Sequence, residues 1–258
     1  MTPADLLPLF TFQFMLVFAR LGTAVFVFPA LSDPSIMLRA RLLVALGASL
    51  VMYPMLAPKL PLLPTQTGDM LTLLGQEMLI GLLMGLGARI LISMMSVAGE
   101  IIAFMSGLQT ATLFNPALGA STAAPSVLLT LAAGLVVLAL NLHHQLIMGV
   151  MESYTSLPPG TTLPTSGMAE AVTQLVAMAF KVGVQLSAPV LLTGFLAYLM
   201  FGIFNRLIPQ LQVFFVAMPL SIGLSLLVLA GSLSLILGLF AGVMQDNLWL
   251  FNMEDAGW

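Results

Sequence analysis

The sequence predicts an all-α, polytopic protein of membrane type, built from long, kinked helical hairpins. Two observations carry that reading. Of its 258 residues 60% are hydrophobic and 7% charged, with a mean hydropathy of +1.10, whereas about a quarter of the residues in a soluble domain are charged. The apolar residues also fall into six long runs separated by connectors. In hydrocarbon, only helices and closed barrels satisfy their own backbone groups. The formal net charge of −3 is spread thinly, so there is no basic cluster for nucleic acid. Cysteine is absent, which removes disulfides and thiolate metal sites. Met1–Asp5 lacks a basic start and a small-residue cleavage site, so the first run is expected to be kept as a spanning segment.

The first run, Leu6 to Leu31, is broken by Gln13 and Arg20 and closed by Pro29, Asp33 and Pro34. A mid-run Arg facing lipid costs at least ~2.5–3.5 kcal/mol, so Arg20 is expected to have a buried partner. The second run, Arg41 to Leu56, falls short of the ~20 residues that cross a ~30 Å hydrocarbon layer. Pro58, Pro61 and Pro64 then forbid a continuous helix, and Asp69 is placed to cap the third run.

Met70 to Ser106 would run roughly 55 Å as one helix, so it must tilt, kink or project beyond the bilayer. Glu77, Gly81, Gly85 and Arg89 recur at every fourth position and form one slowly drifting stripe. Gly81 and Gly85 let a neighbouring helix approach closely. Arg89 and Glu100 lie three turns apart, too far to pair with each other.

The fourth run, Ser126 to about Met151, reads as one helix that turns polar at Asn141-Leu142-His143-His144-Gln145. Adjacent histidines point about 100° apart, unlike the i, i+4 pair that holds a metal, and no metal is expected. The fifth run, Met168 to Leu207, is again overlong and sets Lys181, Gln185 and Pro189 at four-residue spacing. Pro189 is expected to kink it and leave a polar notch. Asn205 to Gln210 turns the chain into the last run, Leu211 to Met244, and the acidic tail 245–258 is expected to be exposed. Arg39, Arg41 and Arg206 on one side, against Lys59 on the other, would put both termini outside the cytoplasm.

Between the third and fourth runs, Gly99 to Gly119 carries no Lys, Arg or Asp yet keeps Met105, Leu108, Leu113, Phe114 and Leu118. Irregular backbone of this kind is buried in protein or lines a water-filled cavity. The residues leave two readings open: a loop folded into a channel mouth, and a surface loop at the lipid headgroups.

A series of short motifs runs through the chain. It comprises Glu77 to Gly85, Ala98-Gly99-Glu100, Gly107-Leu108, Asn115-Pro116 with Gly119, Asn141-Leu142-His143-His144, Ser153 with Pro158 and Gly160, Ala188-Pro189, and Asn205 to Phe214. Over residues 6 to 250 this order resembles the FliR family of flagellar export-gate subunits, which virulence injectisomes share in homologous form. The resemblance implies one copy in a helical assembly with FliP and FliQ, beside FlhB, in inner-membrane lipid at the flagellar basal body. It implies a gate that conducts unfolded export substrates, with no enzymatic activity and no cofactor.

It also implies that the connector, residues 107–125 with its root from Phe104, projects into the pore as a plug. Met105, Leu108, Leu113 and Phe114 would then be adaptable apolar stoppers, beside Phe104, Ser106, Gln109 and Asn115. Gly107, Pro116 and Gly119 would keep the segment irregular. Arg20, Glu77, Arg89, Glu100, Lys181 and Arg206, with Gly81 and Gly85, are the residues expected at buried or subunit-interface positions. A small-solute channel or transporter is the alternative, but it would show internal repeats about a midplane site, and no convincing repeat is present. A hydrolase built on His143, His144 and Glu152 lacks a nucleophile motif or metal spacing.

Overall fold

The computed structural model describes residues 3–29, 36–109, 123–161, 165–207 and 213–247. Among the described residues the regular elements are all helical. In chain order they are α1 (Pro3–Val27), α2 (Leu38–Leu56, continued by a 3-10 turn over Ala57–Lys59), α3 (Thr67–Ser106), α4 (Ala124–Ala139), α5 (Leu142–Ser156), α6 (Thr165–Leu207) and α7 (Val213–Asn247). Five of these helices are long and apolar enough to cross a membrane, or six spans if α4 and α5 together form one.

Local chemistry accounts for most boundaries. Pro58 ends regular α-helix in favour of the 3-10 turn, Leu60 is extended, and Pro61 to Pro64 forms no regular element, as proline with its fixed φ and missing N–H dictates. Asp69 stands in the first turn of α3, where its charge complements the helix dipole. Pro125 opens α4, at a position whose N–H would be unpaired in any case. The helix expected from Ser126 to Met151 is instead two. Asn141 adopts the left-handed conformation, φ 55°, which a short polar side chain tolerates better than most. α6 continues through Pro189 as one helix, and Thr193 donates its hydroxyl back to the Pro189 carbonyl at 2.9 Å.

The helices divide into two compact units. The first holds α1, α2, α3 as far as Leu91, α5, and α6 as far as Leu175. Its apolar core is Phe12, Leu16, Val17, Leu56, Leu60 and Tyr154, with Met52, Tyr53, Met70, Leu73 and Leu74 packed against it. Tyr53 links α2 to α1 by donating its hydroxyl to Gln13 Oε1 at 3.0 Å, while Gln13 Nε2 donates to the Pro61 carbonyl at 3.2 Å. α1 and α3 approach closely at two glycines. A Cβ on Gly81 would strike the Arg20 carbonyl and Thr23 Oγ1, and one on Gly85 would stand 2.7 Å from Val27 Cβ.

The second unit holds α3 from Ile92, α4, α6 from Val176, and α7 as far as Met244. Glycines again set the packing distances. A Cβ on Gly99 would meet the Ser126 backbone, and one on Gly183 would lie 2.7 Å from Val97 Cγ1 and 3.0 Å from the Met94 carbonyl. Such contacts matter because lipid tails are as apolar as leucine, so helices in a membrane associate through close van der Waals fit and hydrogen bonds.

Candidate functional site

Within the first unit, Arg20 on α1 and Glu77 on α3 are both fully buried. Arg20 Nε donates to Glu77 Oε2 at 2.7 Å and Nη2 donates to Oε1 at 2.9 Å. This is the two-pronged geometry in which a guanidinium binds a carboxylate most strongly. Nη2 also donates to the Leu157 carbonyl at 2.9 Å, and Nη1 donates to Ser153 Oγ at 3.0 Å. The guanidinium lies over the Tyr154 ring, 4.0 Å from its centre, where the electron-rich face attracts a cation. Leu157 directly follows α5, at the end of a helix where carbonyls lack intrahelical partners and the dipole favours positive charge. One arginine thus ties α1, α3 and α5 together.

Within the second unit, polar contacts gather toward the C-terminal end of α3. Ser96 and Ser126 hydroxyls are 3.1 Å apart, and Ser126 Oγ lies 3.1 Å from the Ser96 carbonyl. The Ala123 N–H, at the entry to α4, donates to Glu100 Oε1 at 3.4 Å. Ser221 on α7 donates to the carbonyl of Ser106, the last residue of α3, at 3.2 Å. Gly107 is next in the chain, with φ +79°, a left-handed backbone that glycine adopts without strain. The two ends of the 107–123 connector are therefore held, one by Ser221 and the other by Glu100.

Residues 11–247 match the model of a family described as bacterial export proteins, family 1. The chain belongs to that family. It is 36% identical over 219 residues to the flagellar biosynthetic protein FliR of Caulobacter vibrioides, covering 85% of this chain and 87% of the relative. The Escherichia coli protein of the same name is 29% identical over 232 residues, covering 89% and 86%. The Yop proteins translocation protein T of Yersinia pestis is 27% identical over 233 residues, covering 88% and 87%.

Against that membership, the residues singled out in the sequence divide into four groups. Arg20 and Glu77 are brought together, with Gly81 and Gly85 beside them in the α1–α3 contact. Glu100 is half-buried and engaged with Ala123. Arg89, Lys181 and Arg206 are exposed on the chain, so the chain itself does not bury them. For Arg89 the reason is geometric. A four-residue step overshoots one turn by about 40°, so three steps from Glu77 turn Arg89 about 120° away from the inward face.

The expected plug residues form the fourth group. Phe104, Met105 and Ser106 are the last turn of α3, not loop, and 124–125 belong to α4. Phe104 is 64% exposed and Ser106 buried. Gly107 and Leu108 are half-buried and Gln109 is exposed. Leu113, Phe114, Asn115, Pro116 and Gly119 lie outside the described residues, as does the turn at 208–212. Sequence reasoning missed Ser153, Tyr154 and the Leu157 carbonyl as partners of Arg20. The available signal was that an enclosed guanidinium has five donors, more than one carboxylate can accept.

Proposed function

We propose that this chain is a subunit of the type III flagellar protein export gate, and that the connector between α3 and α4 plugs the pore through which unfolded proteins cross the inner membrane. The observation that carries the reading is the likeness to flagellar biosynthetic proteins FliR over most of both chains, at 36% identity for the Caulobacter protein against 27% for the Yersinia translocation protein. In such a gate the chain stands once among FliP and FliQ, beside FlhB, at the basal body. Exposed cations on long apolar helices support an assembly of several chains. Arg89 and Lys181 would each cost at least ~2.5–3.5 kcal/mol against lipid at mid-membrane, so partner chains cover them.

The anchoring of the connector supports the plug. With Ser106 held by Ser221 and Ala123 held by Glu100, the helices that carry the connector are fixed at both of its ends. A dry apolar constriction holds back ions without a charged gate, and residues such as Leu108, Leu113 and Phe114 supply that bulk. The gate does no covalent chemistry; its work is to open for an extended chain and close behind it.

Deleting Thr110 to Leu113 in cells that express the whole gate tests this. The complex is expected to be recovered in full, because both anchors remain, while the cells become leaky to small ions and dyes. An intact complex with no added leak would show that the connector is not a seal. Loss of the complex would show it to be a structural strut.

A further inference from the structure

We infer that Lys181 and Gln185 on α6 form a docking site for a helix of another subunit. That helix brings a carboxylate to Lys181 and, one turn along, a hydroxyl or amide side chain to Gln185. From Val176 on, α6 packs one side against α3: a Cβ on Gly183 would lie 2.7 Å from Val97 Cγ1, and Val182, Leu186 and Val190 are buried on the inward side. Lys181 and Gln185 are both exposed and, four residues apart, share the outward side. Pro189 stands four residues further on in the same helix and has no N–H, so the Gln185 carbonyl lacks its helical donor. The patch therefore offers an ammonium, a side-chain amide and a main-chain carbonyl.

Charge decides what fits there. Residues Ile92–Leu140 and Val176–Met244, which make up the second unit, contain one carboxylate, Glu100. Glu100 is on α3, behind the packed side of α6, and accepts the Ala123 N–H. The counter-charge for Lys181 must therefore come from elsewhere. The surface around Lys181 is apolar, with Val176, Phe180 and Leu192 exposed, Phe180 to 62%. An aliphatic cover would leave the ammonium enclosed and unpaired, which costs heavily. Water would satisfy the ammonium but leave Phe180 and Leu192 wet.

A helix with a carboxylate meets both demands. Ala177 and Ala188 lie on the same side as Lys181, and small residues let a second backbone approach while polar side chains bond across the contact. Lys181 and Gln185 are about 6 Å apart along the axis, the spacing of two side chains four residues apart on the partner. Beyond Pro189 the exposed side chains include Leu192, Leu196, Leu199 and Ile203, and no charge occurs before Arg206, so the polar part of the contact ends at the proline. The inference rests on the reading of the chain as one subunit of a gate. It holds whether this stretch of α6 lies within the bilayer or beyond it, because the apolar surroundings exclude water in either place.

The chain has two lysines, Lys59 and Lys181, so in a Lys59→Arg background Lys181 is its one side-chain amine. A membrane-permeant carbodiimide joins an amine to a carboxylate in direct contact with it. Applied to the complex isolated from membranes, it is expected to link Lys181 to an Asp or Glu of another chain, with a polar residue four positions away, as read by mass spectrometry of the linked peptides. Lys181→Arg should abolish the link and leave recovery of the complex unchanged. Lys181→Met leaves the partner's carboxylate unpaired and should lower recovery at least about ten-fold, and Gln185→Leu should lower it about five-fold. Full recovery with Lys181→Met, or an intact complex in which Lys181 is linked to nothing or to its own chain, would overturn this site and leave the gate-subunit reading in place. Isolation of the parent chain without any partner would overturn both.

Discussion

Glu77→Ala separates the two roles an enclosed charge can play. The substitution removes two of the four hydrogen bonds that Arg20 makes and the only carboxylate it touches among the described residues. A buried guanidinium without its counter-charge costs ~3–5 kcal/mol. For a chain of this size that lowers Tm by roughly 6–20 °C. Arg20→Met combined with Glu77→Met removes both charges and keeps comparable volume. What it leaves is the Leu157 carbonyl without its donor, worth ~1–3 kcal/mol; Ser153 still donates to the Val150 carbonyl. The double variant should therefore recover part of the loss. Thermal unfolding of the solubilised protein, read from the surviving gel-filtration peak, measures both. If Glu77→Ala unfolds within a degree or two of the parent, or if the double variant falls further than the single one, the ion pair does not hold these helices together.

Two further substitutions probe the local geometry and the assembly. Asn141→Val forces a β-branched residue into φ 55° and should cost ~1–2 kcal/mol, whereas Asn141→Gly should be neutral or better; equal Tm values for the two would contradict the left-handed break between α4 and α5. Arg206→Cys, exposed on the chain, should react fast with a water-soluble thiol reagent in the protein purified alone and slowly in the assembled complex, and fast labelling in both would place this end of α6 at an open surface.

Helix positions were legible from the sequence because apolar runs and prolines mark them directly. Five of the six runs correspond to single helices whose ends move by a few residues. The break at Asn141 was not legible, since the apolar pattern resumes at Leu146 after the polar step and neither Gly nor Pro stands at 140–145. A left-handed asparagine leaves no mark in hydropathy. Nor was the full environment of Arg20 legible. Its need for a partner follows from its depth in the first run, but Glu77 lies 57 positions away and Leu157 contributes a main-chain carbonyl, a group every residue has.

The same desolvation argument, applied to Arg20 and to Arg89, gives opposite assignments once the contacts are known. Both arginines sit inside long apolar runs, and from sequence both demand cover. Arg20 finds it within the chain: Glu77, Ser153 and Leu157 take four of its five donors and Tyr154 covers its face. Its charge is thereby committed to the fold. Arg89 and Lys181 remain exposed, so their demand passes to other molecules. Substituting Arg20 should then unfold the isolated chain, whereas substituting Arg89 should leave the chain folded and weaken its recovery with partner subunits. A variant of Arg89 that unfolds alone, or one that assembles normally, would break that division between charges that build the subunit and charges that join it to others.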